Sequence, residues 1–263
     1  MKSPLLLLLS FLAFSAAAQP APGPMMPREG AFVFGPATAL AADEALLPLA
    51  HYAAEYLGRP VRQQMTGTGA IVLTLEPGAP SEAYRLEIAP DYIRIGATSP
   101  GGAFNGLQAL FRLLPPEVYA QQGISDGTAL ACGIAADRPK YSYRGMMLDV
   151  ARTWVEVPML KRFINLLSYH NINKLHLHLA DDDGWRIQIK SHPELAEVGG
   201  FRGGDSPVAP VYGKWSEKYG GYYTQDEMRS LIEYAALRNI EIIPEIDLPG
   251  HSRCIGSVRP EIR

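Results

Sequence analysis

The feature that most constrains this fold is a change of pattern at Tyr141, after which apolar runs of strand length alternate with amphipathic helical segments. The apolar runs are residues 144–150, 173–179 and 240–246. Between the first two, Pro158 stands where a helix starts, and Leu160, Phe163, Ile164 and Leu167 follow at the spacing of one helical face. Ahead of the third, Thr224 and Glu227 form a capping-box pattern before Met228, Leu231, Ile232 and Ala235, and Asn239 suits the helix end. Runs this apolar point to parallel strands buried under a layer of helices. An open doubly wound sheet and a (β/α)8 barrel both begin this way, and periodicity does not choose between them.

The preceding stretch obeys different rules. Residues 31–34 and 70–75 read as strands, and residues 43–57 as a helix with Leu46, Leu49, Ala50, Ala53 and Leu57 on one face and Gly58 as its stop. Residues 84–89 and 92–97 alternate about a Pro90-Asp91 turn, the pattern of a hairpin. A helix from about 102 to 114 follows, stopped by Pro115 and Pro116. Residues 28–137 are therefore expected to form a small α+β domain, and residues 139–263 a second unit.

At the N-terminus, Lys2, an apolar run over 5–13 and Ala16 to Ala18 before Gln19 make a signal peptide of residues 1–18. The run is shorter than the roughly 20 residues that span a bilayer, so an exported, periplasmic or extracellular protein is expected rather than an anchored one. Residues 19–27 form a Pro-rich linker, with order expected from about Arg28. Export permits a disulfide, but Cys132 and Cys254 fall in different units and are expected to be two buried thiols. A net charge of -3 supplies no field of one sign for nucleic acid or an anionic membrane, which leaves a neutral or weakly polar small substrate.

Polar residues follow each apolar run: Asp149 and Arg152, then Asp181, Asp182 and Asp183, then Asp247 and His251. Parallel α/β folds gather the carboxyl ends of their strands on one face, so these residues are candidates for a common pocket. Arg152 carries a planar fork able to hold two adjacent sugar hydroxyls, or else a surface salt bridge. His251 follows the Pro249-Gly250 turn, where it can give one ring nitrogen to a carboxylate such as Asp181 and present the other to a reacting group or another acid. Asp182 and Asp183, taken singly, read as caps or solvated loop residues. His176 and His178 project from one face of a strand and, with Asp181, invite a zinc site and a metal-dependent amidohydrolase. No third spaced histidine cluster completes that site, so core histidines are the better assignment, and no metal or soluble cofactor is expected. Trp154 and Trp185 offer faces for a pyranose or for packing. The Gly-rich stretch 199–221, with Tyr212, Trp215 and Tyr219, reads as a long binding loop.

Three segments carry a resemblance. YRGMMLDVARTWVEVPMLKRFINLLSYHNINKLHLHLADDDGWRIQIKSHPEL and GGYYTQDEMRSLIEYAALRNIEIIPEIDLPGH resemble the catalytic domain of family 20 glycoside hydrolases, the β-N-acetylhexosaminidases. YRLEIAPDYIRIGATSPGGAFNGLQALFRLLP resembles the small domain that precedes it, so the likeness runs from about Arg28 to His251. The resemblance implies an α/β fold: an incomplete (β/α)8 TIM barrel of about three of eight units, preceded by a small α+β domain. It implies an exo-acting enzyme removing terminal N-acetylglucosamine or N-acetylgalactosamine from a glycan or chitooligosaccharide by a substrate-assisted retaining mechanism, an exception to the two-carboxylate scheme. Arg152, in DVAR, matches the arginine that binds the sugar's hydroxyls. Asp181, first of LADDDGW, and His251, in PEIDLPGH, match a hydrogen-bonded pair supporting the catalytic acid. Thr153 stands where the family often has a histidine, a departure that bears on contacts near Arg152.

In the family the substrate's acetamido oxygen attacks the anomeric carbon, an aspartate orients the acetamide, and a neighbouring glutamate serves as general acid and base. Both acids follow the fourth barrel strand, and the sequence is expected to stop short of them. The alternatives are therefore a front portion of an active enzyme and a catalytically inactive fragment or sugar-binding remnant. Residues 139–263 are about half of the roughly 250 residues of a complete barrel. Three strands cannot close a barrel, so the isolated chain is expected to be unstable or to aggregate.

Overall fold

The computed structural model describes residues 25–63 and 69–262. The expected signal peptide and residues 19–24 of the expected linker lie outside the described residues. The chain divides after Lys140 into two compact units.

The first unit is a mixed six-stranded sheet of β1 (Met26–Val33), β2 (Ala39–Ala42), β3 (Ala70–Leu75), β4 (Tyr84–Ile88), β5 (Tyr92–Ala97) and β6 (Ala129–Asp137), in the order β1-β6-β4-β5-β3-β2. Strands β4 and β5 are the expected hairpin, paired from Tyr84↔Ala97 to Ile88↔Ile93. Two helices accompany the sheet, α1 (Leu47–Leu57) and α2 (Pro100–Leu113). Ser99 caps α2 by accepting the Gly102 N–H at 3.1 Å. At Gly106 an added Cβ would stand 2.5 Å from the Ile95 side chain, so α2 approaches β5 more closely than any other residue would allow.

Two local expectations need correction, and two strands went unread. Ordered structure begins before Arg28: β1 starts at Met26 and pairs with β6 across an irregularity between Pro27 and Ala31, where Gly30 has φ 96°. Its side chains are mostly exposed, so backbone pairing holds this strand and hydropathy does not see it. The helix expected over 43–57 is a 3-10 turn at Glu44–Leu46 followed by α1, because Pro48 occupies the first turn of α1. Asp43 leaves that helix uncapped, and its carboxylate accepts the Leu75 N–H at 2.6 Å. Strands β2 and β6 escaped sequence reading because their alanines and glycine carry little apolar signal.

The second unit holds three parallel strands, β7 (Gly145–Asp149), β8 (Lys174–His178) and β9 (Glu241–Glu245), with β8 in the middle. Helices α3 (Val157–Tyr169) and α4 (Gln225–Ala236) connect them, and α5 (Arg253–Val258) follows β9. The capping box of α4 is complete, since Thr224 and Glu227 each take the other's backbone N–H. Asn239 adopts φ 57° after the helix end, a left-handed conformation that asparagine tolerates.

Leu175 and Leu177 of β8 pack with Leu160, Ile164 and Leu167 of α3 and with Leu231 and Ala235 of α4 in one buried cluster. That accounts for one face of the sheet. The other face is polar toward its carboxyl end, where Asp149, His178 and Glu245 stand in a single row of the parallel register. Burial on both faces therefore does not hold for these strands: Met147, on the polar side, is 51% exposed. Strands β7 and β9 each pair only with β8 among the described residues.

Candidate active site

Each strand of the second unit delivers ionisable residues to its carboxyl end, and Asp181 collects them. This carboxylate is 2% exposed although the three groups gathered at one of its oxygens come from the turn after β7, the end of β8 and the loop after β9. On Oδ2 it meets the Arg152 guanidinium at 2.5 Å, His178 Nε2 at 2.9 Å and His251 Nδ1 at 3.1 Å. Its other oxygen accepts the Asp182 N–H at 2.5 Å. A carboxylate buried this far is tolerable only with such a ring of donors.

The turn after β7 aims Arg152 by local chemistry. Asp149 Oδ1 accepts the N–H groups of Ala151 (3.0 Å) and Arg152 (2.9 Å), and Oδ2 receives the Arg152 guanidinium at 2.6 Å. Burial works to raise the Asp149 pKa, but the bonds and charge of Arg152 outweigh it and hold the carboxyl below its ordinary value. The bond from Asp149 likewise raises the Arg152 pKa, so the fork is a permanent cation.

His178, on β8, is 3% exposed and sits between two carboxylates, with Nε2 toward Asp181 and Nδ1 toward Glu245 Oε1 at 2.8 Å. Desolvation acts to lower its pKa, yet the bonds to Asp181 and Glu245 prevail and raise it. Glu245 is lowered in turn: burial opposes ionisation, and its bond to His178 and the charges of both histidines overcome that. His176 Nε2 also reaches Glu245. Glu245 had no local mark in the sequence; only the register across β8 and β9 places it against His178. His251 is held at φ 51° beyond β9, and its half-exposed ring adjoins a cleft of about 700 Å³ that Asp182, Leu248 and Ser252 also line, a volume typical of small-molecule sites.

The neighbouring aspartates, read singly as caps or solvated loop residues, each accept main-chain N–H groups from a distant segment. Asp182 accepts the Arg253 N–H at 3.1 Å, which ties the second loop to the start of α5. Asp183 is 1% exposed and accepts the N–H groups of Val211 (2.6 Å) and Tyr212 (3.1 Å), pinning the long loop. That loop is closed at its base by a two-residue ribbon, Phe201–Arg202 against Tyr219–Gly220. Trp154 and Trp185 are both used in packing. Trp154 lies against Tyr223 with ring centroids 4.6 Å apart, and the buried Trp185 donates to the Ile187 carbonyl at 2.6 Å. Cys132 and Cys254 are both buried and free.

His178, Glu245 and Asp247 bring one potential ligand atom each within 4.8 Å of one another, a spacing a cation could use. Both ring nitrogens of His178 are already committed to carboxylates, so a metal there would have to displace one of them. The trio expected from sequence was different: His176 meets Glu245 rather than joining His178 on Asp181.

Two family models match this chain in order. Glycosyl hydrolase family 20, domain 2, covers residues 17–137, and glycosyl hydrolase family 20, catalytic domain, covers residues 141–263. The chain belongs to glycosyl hydrolase family 20. A β-hexosaminidase of Vibrio furnissii is 42% identical over 195 residues, which take in 74% of this chain and 31% of that protein. A β-N-acetylhexosaminidase of Cellulomonas fimi is 34% identical over 233 residues, covering 84% of this chain and 43% of that protein. Among solved structures, the family 20 exo-β-N-acetylglucosaminidase of Vibrio harveyi in complex with N-acetylglucosamine superposes with a TM-score of 0.83 at 34% identity, over 94% of this chain and 38% of that one. The chain thus spans less than half the length of these family 20 relatives.

Proposed function

We propose that this chain forms the front part of an exo-acting β-N-acetylhexosaminidase that releases terminal N-acetylglucosamine or N-acetylgalactosamine. The observation that carries the reading is the convergence of Arg152 and His251, from separate loops, on one buried carboxylate oxygen of Asp181. Bonds to Asp149 and Asp181 fix the Arg152 fork while leaving further N–H donors for adjacent sugar hydroxyls. His251 Nδ1 adjoins both Asp181 at 3.1 Å and the Arg152 guanidinium at 3.3 Å, which leaves Nε2 for an acid beyond it. Three parallel strands in chain order, each followed by site residues, support a (β/α)8 barrel begun here and completed by further units. The acetamide-orienting aspartate and the general acid would come from beyond the third strand. Residues 1–18 would direct the protein out of the cytoplasm, and the mature chain would begin at Gln19.

The test is hydrolysis by the full-length gene product of an aryl N-acetyl-β-glucosaminide beside the aryl β-glucoside, with and without a chelator. Release confined to the N-acetyl substrate and indifferent to chelator supports the reading. Metal-dependent release of acetate, with the aryl glycoside left intact, would favour the amidohydrolase alternative, and an inert product would leave a sugar-binding remnant.

A further inference from the structure

Arg186 is 0% exposed, the largest fully buried side chain of the described residues, and its charge is solvated by main-chain carbonyls. Nε donates to Val150 O at 3.0 Å and Nη2 to Ala151 O at 2.6 Å. Nη1 donates to Gly221 O at 3.0 Å and also to Gly200 O. Burial, with the nearby Arg202 charge, lowers its pKa to about 10, so it remains a cation at neutral pH. A buried charge is a costly way to gain stability, since apolar groups of the same volume often serve as well or better. What this one does is join two segments of chain at fixed distance.

The first segment ends on Arg152. Its two preceding carbonyls are held by Arg186, its own N–H by Asp149 at 2.9 Å, and its own carbonyl by Arg202 at 2.7 Å. The second segment is the base of the long loop, at Gly200 and Gly221. Glycines crowd the seat: an added Cβ would stand 2.5 Å from the Arg186 guanidinium carbon at Gly184, 2.2 Å from Gly200 O at Gly220, and 2.5 Å from the Trp154 ring at Gly221.

We infer that Arg186 is a positioning residue that sets the Arg152 guanidinium against Asp181 by clamping the main chain that carries it. In its consequence for substrate this rests on the proposed role of Arg152 in binding sugar hydroxyls. A lysine, with one compact head in place of a planar fork, cannot hold carbonyls on both segments.

The test uses the full-length protein with Arg186→Lys, Arg152→Ala, the pair together, and Gly184→Ala, which crowds the guanidinium without removing it. Arg186→Lys and Gly184→Ala are each expected to raise KM for an aryl N-acetyl-β-glucosaminide about tenfold, with kcat changed less than about threefold. Because the effect passes through Arg152, adding Arg186→Lys to Arg152→Ala should change KM less than about twofold; a second tenfold rise would overturn the inference. Amide hydrogen exchange across residues 149–153 should be faster in Arg186→Lys by an order of magnitude or more, and unchanged protection would also overturn it. If the unsubstituted protein hydrolyses nothing, the proposed function fails, and the exchange result alone decides the clamp.

Discussion

Replacing Asp181 by asparagine keeps the volume of the side chain and removes its charge. One amide oxygen can still accept the Asp182 N–H, which leaves the amide NH2 facing three donors: Arg152, His178 and His251. Two of them have an escape. Arg152 keeps Asp149 at 2.6 Å, and the half-exposed His251 ring can turn to water. His178, with its side chain 4% exposed, has none on that side. Breaking a buried pair costs roughly 3–5 kcal/mol when nothing relaxes, so a loss of about 2–4 kcal/mol is expected here. The penalty must also depend on pH. The raised pKa of His178 means that its charged contacts contribute fully below its unfolded value, near 6.5, and are lost as pH rises through the folded value. Without the Asp181 charge that contribution shrinks, so the substitution should cost more at pH 6 than at pH 9. Urea unfolding midpoints of the full-length protein at both values, with NMR titration of the His178 ring, measure it. A penalty below about 1 kcal/mol, or one equal at both pH values, would refute the view that Asp181 holds a charged His178.

Acid should weaken the site from its other side. Asp149 and Glu245 have lowered pKa values, so their contribution is present above the unfolded carboxylate range and is lost as pH falls through their folded values; Asp149→Asn should flatten the acid limb of a melting-temperature profile. Leu177→Ala empties a 0% exposed position between β8 and its helices and should cost about 2–5 kcal/mol in denaturant titrations. Produced as residues 1–263 alone, the chain should self-associate through the open edges of β7 and β9 and the exposed Met146, Met147, Ile246 and Leu248. Light scattering and dye binding read this out, and a soluble monomer with one cooperative transition would contradict it.

What the sequence by itself determined is the part of the protein governed by local rules. The periodicity of α3 and α4, the capping box at Thr224, the hairpin at Pro90-Asp91 and the apolar runs of β7, β8 and β9 each involve residues a few positions apart. Arg152, Asp181 and His251 were also legible, because parallel strands deliver polar residues to their carboxyl ends wherever the runs stop. Only the tertiary structure decided which groups meet. Glu245 looks like any strand-end acid until the register of β8 and β9 sets it against His178. Asp183 reads as a loop residue until Val211 and Tyr212 close over it. Arg186 stands three residues after the buried Asp183, yet its partners are carbonyls from 14 to 36 positions away. A main-chain carbonyl is the same in every residue, so no side-chain pattern announces that a cation will be solvated by it. Burial and the return of distant loops to one place make that interaction, and both are properties of the fold.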